Sequence, residues 1–247
     1  MAGRNEALLN AAKDEIIAES KTIENTNSLA TIQVDLTNLT SMDSVVSKAI
    51  NIFGTIDILI NNAGISYRGA IQDTDIDVHV KLMTVNYFGQ IALTKAILPY
   101  MQKSGGGSII AISTVQGRIS QGFRSAYAAS KHALQAYFDC LRAETSTDNI
   151  HVCVVSPGYI KTNLSKNALC GDGLHYGVTD TTTAEGWHPQ EVANHILKAV
   201  ECKQPELIPA KFTYKLVIIL RAICPQLVFW IMEKRALKQR KQYIKSS

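Results

Sequence analysis

A tyrosine and a lysine four residues apart, Tyr127 and Lys131, form the spacing in this chain with the clearest chemical potential. The surrounding pattern predicts a helix over 127–144, so both side chains are expected on one helical face. A nearby ammonium can lower the pKa of a phenol from about 10 toward neutral, and such a phenol can donate a proton to a carbonyl oxygen. The spacing alone is a weak pattern, and by itself it more often marks an exposed lysine beside a half-buried tyrosine.

Strand and helix patterns alternate along the chain and predict an α/β fold with a doubly wound parallel sheet. Short apolar runs favour strands, and the run at 56–60 suits a strand that is buried on both faces. Strands are predicted over 31–36, 56–60, 108–112, 151–155 and 206–208, and helices over 5–20, 41–53, 75–102, 127–144 and 189–200.

Small and polar residues follow three of these predicted strands. Asn61-Asn62-Ala63-Gly64 follows the strand predicted at 56–60, and Ser113-Thr114 follows the strand at 108–112. Ser156-Pro157-Gly158 follows the strand at 151–155. Ligands of parallel sheets bind at the carboxyl ends of the strands. The sequence therefore predicts a binding site at this edge of the sheet.

Four motifs occur together in a characteristic order: Asn61-Asn62-Ala63-Gly64, Val85-Asn86, Tyr127-x-x-x-Lys131 and Pro157-Gly158. In order and spacing they resemble the short-chain dehydrogenase/reductase family, over about residues 1–210. The resemblance implies a Rossmann-like domain over 1–210, followed by an apolar segment and basic tail over 211–247. It also implies an oxidoreductase that uses a nicotinamide cofactor.

The resemblance assigns a role to each matching residue. Tyr127 would be the general acid and base, and Lys131 would lower its pKa and bind the nicotinamide ribose. Asn86 would hold a water that links Lys131 to solvent, with a helix kink as the alternative. The implied cofactor contacts are Asp35 and Leu36 at the adenine, Asn62, Ala63 and Gly64 along the cofactor, and Pro157, Gly158, Ile160 and Thr162 beside the nicotinamide. Asp35 could instead close a turn, and Asn61 is better explained as bracing the backbone.

The substrate-binding hydroxyl departs from the family pattern. The family carries a serine thirteen residues before the tyrosine, where this chain has Thr114, preceded by Ser113. Threonine keeps the hydroxyl donor, although its methyl group restricts χ1. Alternate side chains of a strand point to opposite faces, so we expect Thr114 rather than Ser113 to hold the substrate oxygen.

Cofactor choice is suggested by Gly3 and Arg4. The family places an acidic residue at the end of the second strand in enzymes that prefer NAD, where it bonds the ribose 2′-hydroxyl. In this chain Gly3 corresponds to that position by resemblance, and Arg4 follows it. The guanidinium of Arg4 suits a 2′-phosphate. We therefore expect NADP(H) rather than NAD, and mainly the reductive direction.

The family's glycine-rich phosphate-binding motif, Thr-Gly-x-x-x-Gly-x-Gly, does not occur in this sequence. The first strand, the first helix and most of the second strand are expected to be absent, and with them a helix N-terminus that binds pyrophosphate. We expect weak NADPH binding by this 247-residue chain. The alternative function is a catalytically impaired isoform that acts by pairing with a full-length partner.

The C-terminal segment 212–232 is apolar but contains Lys215, Arg221 and Pro225, so a broken amphipathic surface is expected rather than a membrane-spanning helix. With the basic tail over 233–247, it resembles the membrane-associated, member-seven-like subgroup of the family. Peripheral contact with an endoplasmic reticulum or peroxisomal membrane and a lid over the substrate pocket are both compatible with this pattern. Either suits a lipophilic small-molecule substrate, such as a steroid, a retinoid or a lipid-derived ketone.

Composition excludes several other functions. The net charge is +4, and the tail over 233–247 alone carries +5, so no basic face for nucleic acid is expected. The histidines lack metal-ligand spacing, and five unpatterned cysteines with no recognisable signal peptide favour a cytosol-facing location. The resemblance implies a homo-oligomer that forms through the helices around 85–100 and 126–145.

Overall fold

The computed structural model describes residues 1–19 and 28–246, with side chains described as far as residue 240. The end of the predicted helix 5–20 and the tail side chains of Lys241 and Lys245 lie outside this part. The strands are β1 (Ala2–Gly3), β2 (Ile32–Gln33), β3 (Ile58–Asn61), β4 (Gly107–Ile112), β5 (Ile150–Val155) and β6 (Glu206–Leu207). The helices are α1 (Glu6–Glu19), α2 (Met42–Phe53), α3 (Ile76–Met83), α4 (Gly89–Lys103), α5 (Ser125–Glu144), α6 (Thr181–Ala184), α7 (Pro189–Glu201), α8 (Phe212–Ile223) and α9 (Pro225–Ser246).

The strands form parallel sheets, as the alternating pattern predicts. One sheet has four strands in the order β3-β4-β5-β6, and the other pairs β1 with β2. In the described residues the sheet is therefore interrupted between β1 and β3. The backbone amide of Val34 donates to the carbonyl of Gly3 at 2.9 Å, which continues the small sheet by one further contact.

The two central strands, β4 and β5, are buried on both faces, because helices cover each side of them. On one side, Ile109 and Val152 pack with Leu134 and Phe138 of α5 and with residues of α2 and α4. On the other side, Ile110, Cys153 and Val155 pack against Ala199 of α7. This two-sided burial explains the uninterrupted apolar runs in their sequences.

The prediction that 56–60 is buried on both faces is wrong for the strand that forms there. In β3, Leu59 and Asn61 are buried, whereas Ile58 and Ile60 are 49% and 46% exposed. The strand lies at the edge of its sheet, and α2 and α4 cover only the face that carries Leu59. An apolar run shows that its side chains favour burial, but it does not show whether a helix covers both faces of the strand.

The long helix predicted over 75–102 is divided by a π-helical turn at Thr84–Phe88, which joins α3 to α4. Directly after this turn, α4 begins at Gly89, which lies against the chain at Leu36. A Cβ at position 89 would lie 2.4 Å from the Leu36 carbonyl oxygen. Only glycine allows this approach between α4 and the segment that follows β2.

The C-terminal segment is broken, as its sequence predicts. Helix α8 ends at Ile223, and α9 begins at Pro225, which lacks the amide proton needed to continue a helix. Across the described residues, every helix is too short or too polar to cross a membrane.

Candidate active site

A cleft of about 660 Å³ opens at the carboxyl ends of β3, β4 and β5, where the sequence predicts a binding site. The loops after these strands form one wall, and the N-terminal half of α5 forms another. Twelve of the predicted site residues line the cleft: Arg4, Asn62, Ala63, Gly64, Ser113, Thr114, Tyr127, Lys131, Pro157, Gly158, Ile160 and Thr162.

Tyr127 lies on the first turn of α5 and packs in an apolar cluster with Tyr67 and Leu82. Burial raises the pKa of Tyr127 to about 12, while the positive charge of Arg68 and a hydrogen bond with Thr114 act in the opposite direction. The expected lowering of the Tyr127 pKa toward neutral is therefore wrong for the chain by itself. Desolvation of the phenolate raises the pKa by more than the neighbouring groups lower it. The phenol keeps its proton at neutral pH, as a proton donor must.

Lys131 lies one turn further along α5 and is also buried. Its ammonium donates a hydrogen bond to the Ile112 carbonyl, at the end of β4, at 2.8 Å. Burial lowers the pKa of Lys131 to about 8. The amine therefore exchanges a proton near physiological pH, which suits a proton relay.

The two hydroxyls after β4 point in different directions. Thr114 shares a hydrogen bond with Tyr127 and lies 3.4 Å from the Pro157 carbonyl oxygen. The Ser113 hydroxyl instead donates to the Lys131 carbonyl at 3.4 Å, against the backbone of α5. This geometry favours Thr114 over Ser113 as the residue that holds a substrate oxygen beside the phenol.

Asn86 sits in the π-helical turn and is fully buried. Its amide accepts a hydrogen bond from the Ile65 amide at 2.8 Å, and donates to the Ile65 carbonyl at 2.9 Å and to the Ser130 hydroxyl at 3.0 Å. These bonds join the loop after β3 to α5. The helix irregularity that was the alternative for Asn86 is present, and the water link to Lys131 stays a prediction.

Gly64 brings the backbone of this loop close to the catalytic groups. A Cβ at this position would lie 3.2 Å from the Asn86 amide oxygen and 3.5 Å from the Lys131 ammonium nitrogen. A side chain here would fill the space beside the lysine. The bare backbone leaves that space to a ligand.

Asp35, Leu36 and Asn61 lie away from the cleft lining. The Asp35 carboxylate accepts hydrogen bonds from the Thr37 amide and hydroxyl, which lower its pKa and close a turn. Asn61 is buried and donates to the Thr94 hydroxyl at 3.0 Å, as expected for a bracing residue. Adenine contacts of Asp35 and Leu36 stay predictions.

Sequence patterns did not indicate a buried charge cluster at the catalytic end of the cleft. The carboxylate of Asp180 accepts hydrogen bonds from Arg68 at 2.6 and 2.9 Å, and from Arg124 at 3.4 Å. Arg68 lines the cleft, and Arg124 lies three residues before Tyr127. The partners are 112 and 56 positions apart, so local spacing carries no signal of the cluster.

The residues fit the nicotinamide half of a dinucleotide better than its pyrophosphate half. The space at Gly64 and the small residues Pro157 and Gly158 would admit a flat ring beside Lys131. Toward the other end, the cleft is bordered by Arg4, which carries a positive charge at an exposed position. These are the residues that would hold a nicotinamide cofactor.

Curated proteins of similar sequence carry two closely related names. The chain is 48% identical over 241 residues to Dehydrogenase/reductase SDR family member 7B of Bos taurus, covering 98% of this chain and 74% of the relative. It is 53% identical over 207 residues to the protein of that name in Xenopus tropicalis, covering 84% and 67%. A Drosophila melanogaster protein, Dehydrogenase/reductase SDR family protein 7-like, is 49% identical over 207 residues, covering 84% and 64%.

Solved structures show the same fold. A short-chain dehydrogenase from Streptomyces avermitilis superposes with a TM-score of 0.75 at 27% identity, covering 95% of this chain and 86% of that one. A short-chain dehydrogenase/reductase from Burkholderia phymatum in complex with NAD has a TM-score of 0.79 at 16% identity, covering 92% and 84%.

The sequence profile described as short chain dehydrogenase matches residues 1–171, more than two thirds of the chain. This segment contains the cleft residues from Arg4 to Thr162. Members of this family are oxidoreductases that work with a nicotinamide cofactor. Profile, relatives and site geometry agree, and the chain belongs to the short-chain dehydrogenase family.

Proposed function

We propose that this protein is an NADP(H)-dependent oxidoreductase that reduces a carbonyl group on a lipophilic substrate, or oxidises the corresponding alcohol. The observation that carries the proposal is the convergence of the Tyr127 phenol, the Thr114 hydroxyl and the Lys131 ammonium in one cleft. An acid, a hydrogen-bonding hydroxyl and a proton-exchanging amine are the groups that carbonyl reduction requires of the protein.

Each group has one task in the proposed reaction. Thr114 holds the carbonyl oxygen of the substrate, and Tyr127 donates its proton to that oxygen. Lys131, with a pKa of about 8, exchanges protons with solvent and stabilises the charge left on Tyr127. A nicotinamide bound beside Gly64 would supply the hydride.

The preference for NADP(H) rests on Arg4. Its side chain borders the cleft at the end away from Tyr127, where a 2′-phosphate would carry negative charge. Gly3 precedes it at the place where an acidic residue would repel that phosphate. NAD is the less favoured cofactor on this reasoning.

Support for a lipophilic substrate comes from a second, smaller pocket of about 190 Å³. It shares Val115, Gln116 and Tyr159 with the main cleft and is closed on its other side by apolar residues of α8 and α9. An apolar group attached to the reacting carbonyl could extend from the cleft into this pocket.

Peripheral membrane contact through 212–247 is part of the same proposal, at the cytosolic face of the endoplasmic reticulum or of peroxisomes. Four large side chains form an exposed stripe on α8: Phe212, Leu216, Ile219 and Ile223. Their spacing places them on one helical face, away from the pocket. Glu233 is the only acidic residue among several lysines and arginines in 211–240. Apolar and basic groups together suit an anionic lipid surface.

Vesicle sedimentation tests this contact. We expect binding to vesicles that contain phosphatidylserine, weaker binding to neutral phosphatidylcholine vesicles, and loss of binding with Leu216→Glu and Ile219→Glu together. An exposed substitution elsewhere, Lys95→Gln, is the control. Equal binding of the stripe variant would contradict membrane contact through α8.

A homo-oligomer is proposed through the π-helical turn at Thr84–Phe88 together with α4 and α5. Tyr87 and Phe88 contact each other at 5.0 Å between ring centroids, and Tyr87 meets Tyr137 of α5 edge-on at 6.3 Å. Phe88 is exposed and would be covered by a second copy. Light scattering of Phe88→Glu, compared with the parent chain, should show a shift to a smaller species. Unchanged mass would argue against this interface.

Turnover of a carbonyl panel tests the central proposal. Steroid, retinoid and long-chain ketones are offered with NADPH, and Tyr127→Phe is expected to lower kcat by about 10²–10⁴-fold, because it removes the proton and little else. Thr114→Val should lower activity, while Thr114→Ser should retain it. Equal turnover by Tyr127→Phe, with an unchanged melting temperature, would overturn the proposal.

A further inference from the structure

The buried cluster of Arg68, Arg124 and Asp180 is not used by the mechanism above. Both arginines and the aspartate lie beside the catalytic end of the cleft, with Arg68 and Arg124 only 8% and 7% exposed. Burying charge is costly, and a structure that buries two like charges beside a reacting group must compensate for that cost. The position of the cluster next to Tyr127 suggests a task in proton transfer.

Arg68 is held more rigidly than a surface arginine. Its Nη1 donates to the Ser66 hydroxyl at 2.7 Å and to the Tyr67 carbonyl at 2.8 Å, while Nε and Nη2 donate to Asp180. The guanidinium also lies 5.8 Å from the ring centroid of Tyr176. Four hydrogen bonds fix the plane and position of this charge.

The cluster connects to Tyr127 from two directions. Tyr67, whose carbonyl binds Arg68, packs with Tyr127 in one apolar cluster. Arg124 precedes the first turn of α5, and its carbonyl accepts the Ala128 amide at 2.8 Å in the turn that carries Tyr127. A displacement of either arginine would therefore change the surroundings of the Tyr127 phenol.

Two guanidiniums share one oxygen of a single carboxylate. Because the cluster has two positive charges and one negative charge, it keeps one net positive charge. Other titratable groups also face the phenol or the cluster, namely Lys131 from α5, Tyr159 after β5, and Tyr176 and His175 from the segment before α6. Both arginine charges lower the pKa of Tyr127, and Arg68 does so more than Arg124.

We propose that Arg68, locked by Asp180 and assisted by Arg124, is a positioning residue that stabilises the negative charge developing on the Tyr127 oxygen when its proton leaves. The inference rests on the proposed acid role of Tyr127. It places a second cation near the phenol besides Lys131, whose own charge varies near physiological pH because burial disfavours its ammonium.

A fluorinated tyrosine at position 127, followed by ¹⁹F NMR during a pH titration, measures this effect without turnover. We expect Arg68→Gln to raise the titration midpoint by roughly half a unit to one unit, which is a three- to ten-fold change. Asp180 still has Arg124 as its partner in this variant. Arg68→Lys should restore most of the shift, and Asp180→Asn should move the midpoint downward.

Two variants guard against a folding artefact. Arg124→Gln removes the cation with the longer contact to Asp180 and should shift the midpoint in the same direction as Arg68→Gln, by less. Lys95→Gln removes an exposed charge from α4 and should leave the midpoint unchanged. Midpoints that do not move in either arginine variant, or that move equally in Lys95→Gln, would overturn the inference.

Turnover separates this inference from the proposed function. If a ketone substrate is reduced, Arg68→Gln should displace the pH profile of kcat in the direction of the NMR midpoint, with Arg68→Lys close to the parent. A shifted midpoint in a chain that reduces no carbonyl would leave the electrostatic inference intact and reject the proposed function. Normal reduction with an unshifted midpoint would do the reverse.

Discussion

The catalytic region of the cleft and the N-terminal region differ sharply in how they are held. Tyr127 packs in an apolar cluster with Tyr67 and Leu82. Further along α5, Leu134 and Phe138 pack with side chains of β4, β5 and α4 in the main core. In the N-terminal region, β1 and β2 pair over two residues each, and none of the described side chains of α1 is buried. Leu8 of α1 is 68% exposed. The chain thus fixes the groups that move a proton far more firmly than those at the Arg4 end.

The difference has a physical cause. A catalytic acid must keep its position to within a fraction of an ångström, and only dense packing and complete hydrogen bonding provide that. Asn86 supplies such bonding between the loop after β3 and α5. The described N-terminal elements contribute a few backbone hydrogen bonds and little buried apolar surface, so their opening should cost little free energy.

Hydrogen exchange should reveal the largest contrast. Amides in the middle of α5 are expected to exchange at least about 1000-fold more slowly than those of α1, because α5 opens only with the core whereas α1 frays alone. Mass spectrometry of the exchanging native chain measures both. Helix α7, with Val192 and Ala199 buried, provides an intermediate reference. Similar protection in α1 and α5 would remove the contrast.

Lys131→Met should show the electrostatic cost of the catalytic region. Burial places the pKa of Lys131 at about 8 against 10.5 normally. Between these values the unfolded chain binds a proton that the folded chain does not, so stability rises with pH across this window and is lost as pH falls. The free energy of unfolding of the variant minus that of the parent should therefore fall by about 3 kcal/mol between neutral pH and pH 10.5.

Urea unfolding at several pH values measures this difference, which includes a constant loss of the hydrogen bond to Ile112. Lys95→Met, at an exposed position of α4, serves as the matched control and should show no such trend. A pH-independent difference for Lys131→Met would mean that the lysine is not penalised by burial.

Neighbouring residues of β3 should behave in opposite ways. Leu59→Ala removes a side chain packed in the core and is expected to cost about 2–5 kcal/mol of unfolding free energy. Ile60→Ala, on the exposed face of the same strand, should cost less than about 1 kcal/mol. Chemical denaturation compares them directly. Equal costs would show that the second face of β3 is covered in solution.

The smallest effect is expected at the Arg4 end. Arg4→Gln should weaken NADPH binding roughly tenfold, or about 1.4 kcal/mol, and leave NADH binding nearly unchanged, because only the former carries a 2′-phosphate. Cofactor titrations followed by fluorescence provide both constants. The same loss with both cofactors would reject a phosphate contact by Arg4.

Sequence reasoning succeeded where the signal is local. The four-residue spacing of Tyr127 and Lys131 placed both groups in the cleft, and the uninterrupted apolar runs located β4 and β5. It failed at Ile60, because exposure depends on whether another element covers the strand. It also missed the Tyr127 pKa, because the spacing shows a nearby lysine but not the depth of burial.

Long-range arrangements had no signal of this kind. Arg68, Arg124 and Asp180 are common residues with unremarkable neighbours in the sequence, and only the folded chain brings their charges together. The apolar periodicity over 75–102 likewise carries no signal of the π-helical turn at Thr84–Phe88, and a helix kink at Asn86 was predicted only as an alternative to its water-binding role. Such features depend on tertiary contacts rather than on local preference.

The contact between Gly89 and Leu36 joins the firmly packed catalytic region to the loosely packed N-terminal region. It is a point where the firm and the loose regions touch backbone to backbone, with the Leu36 carbonyl oxygen 2.4 Å from where a Cβ at position 89 would lie. Any side chain there would act as a wedge, pushing the segment after β2 away from α4. The close approach of the two regions at this point therefore depends on the absence of a Cβ at position 89, and a substitution there would separate them without changing Tyr127, Lys131 or Thr114.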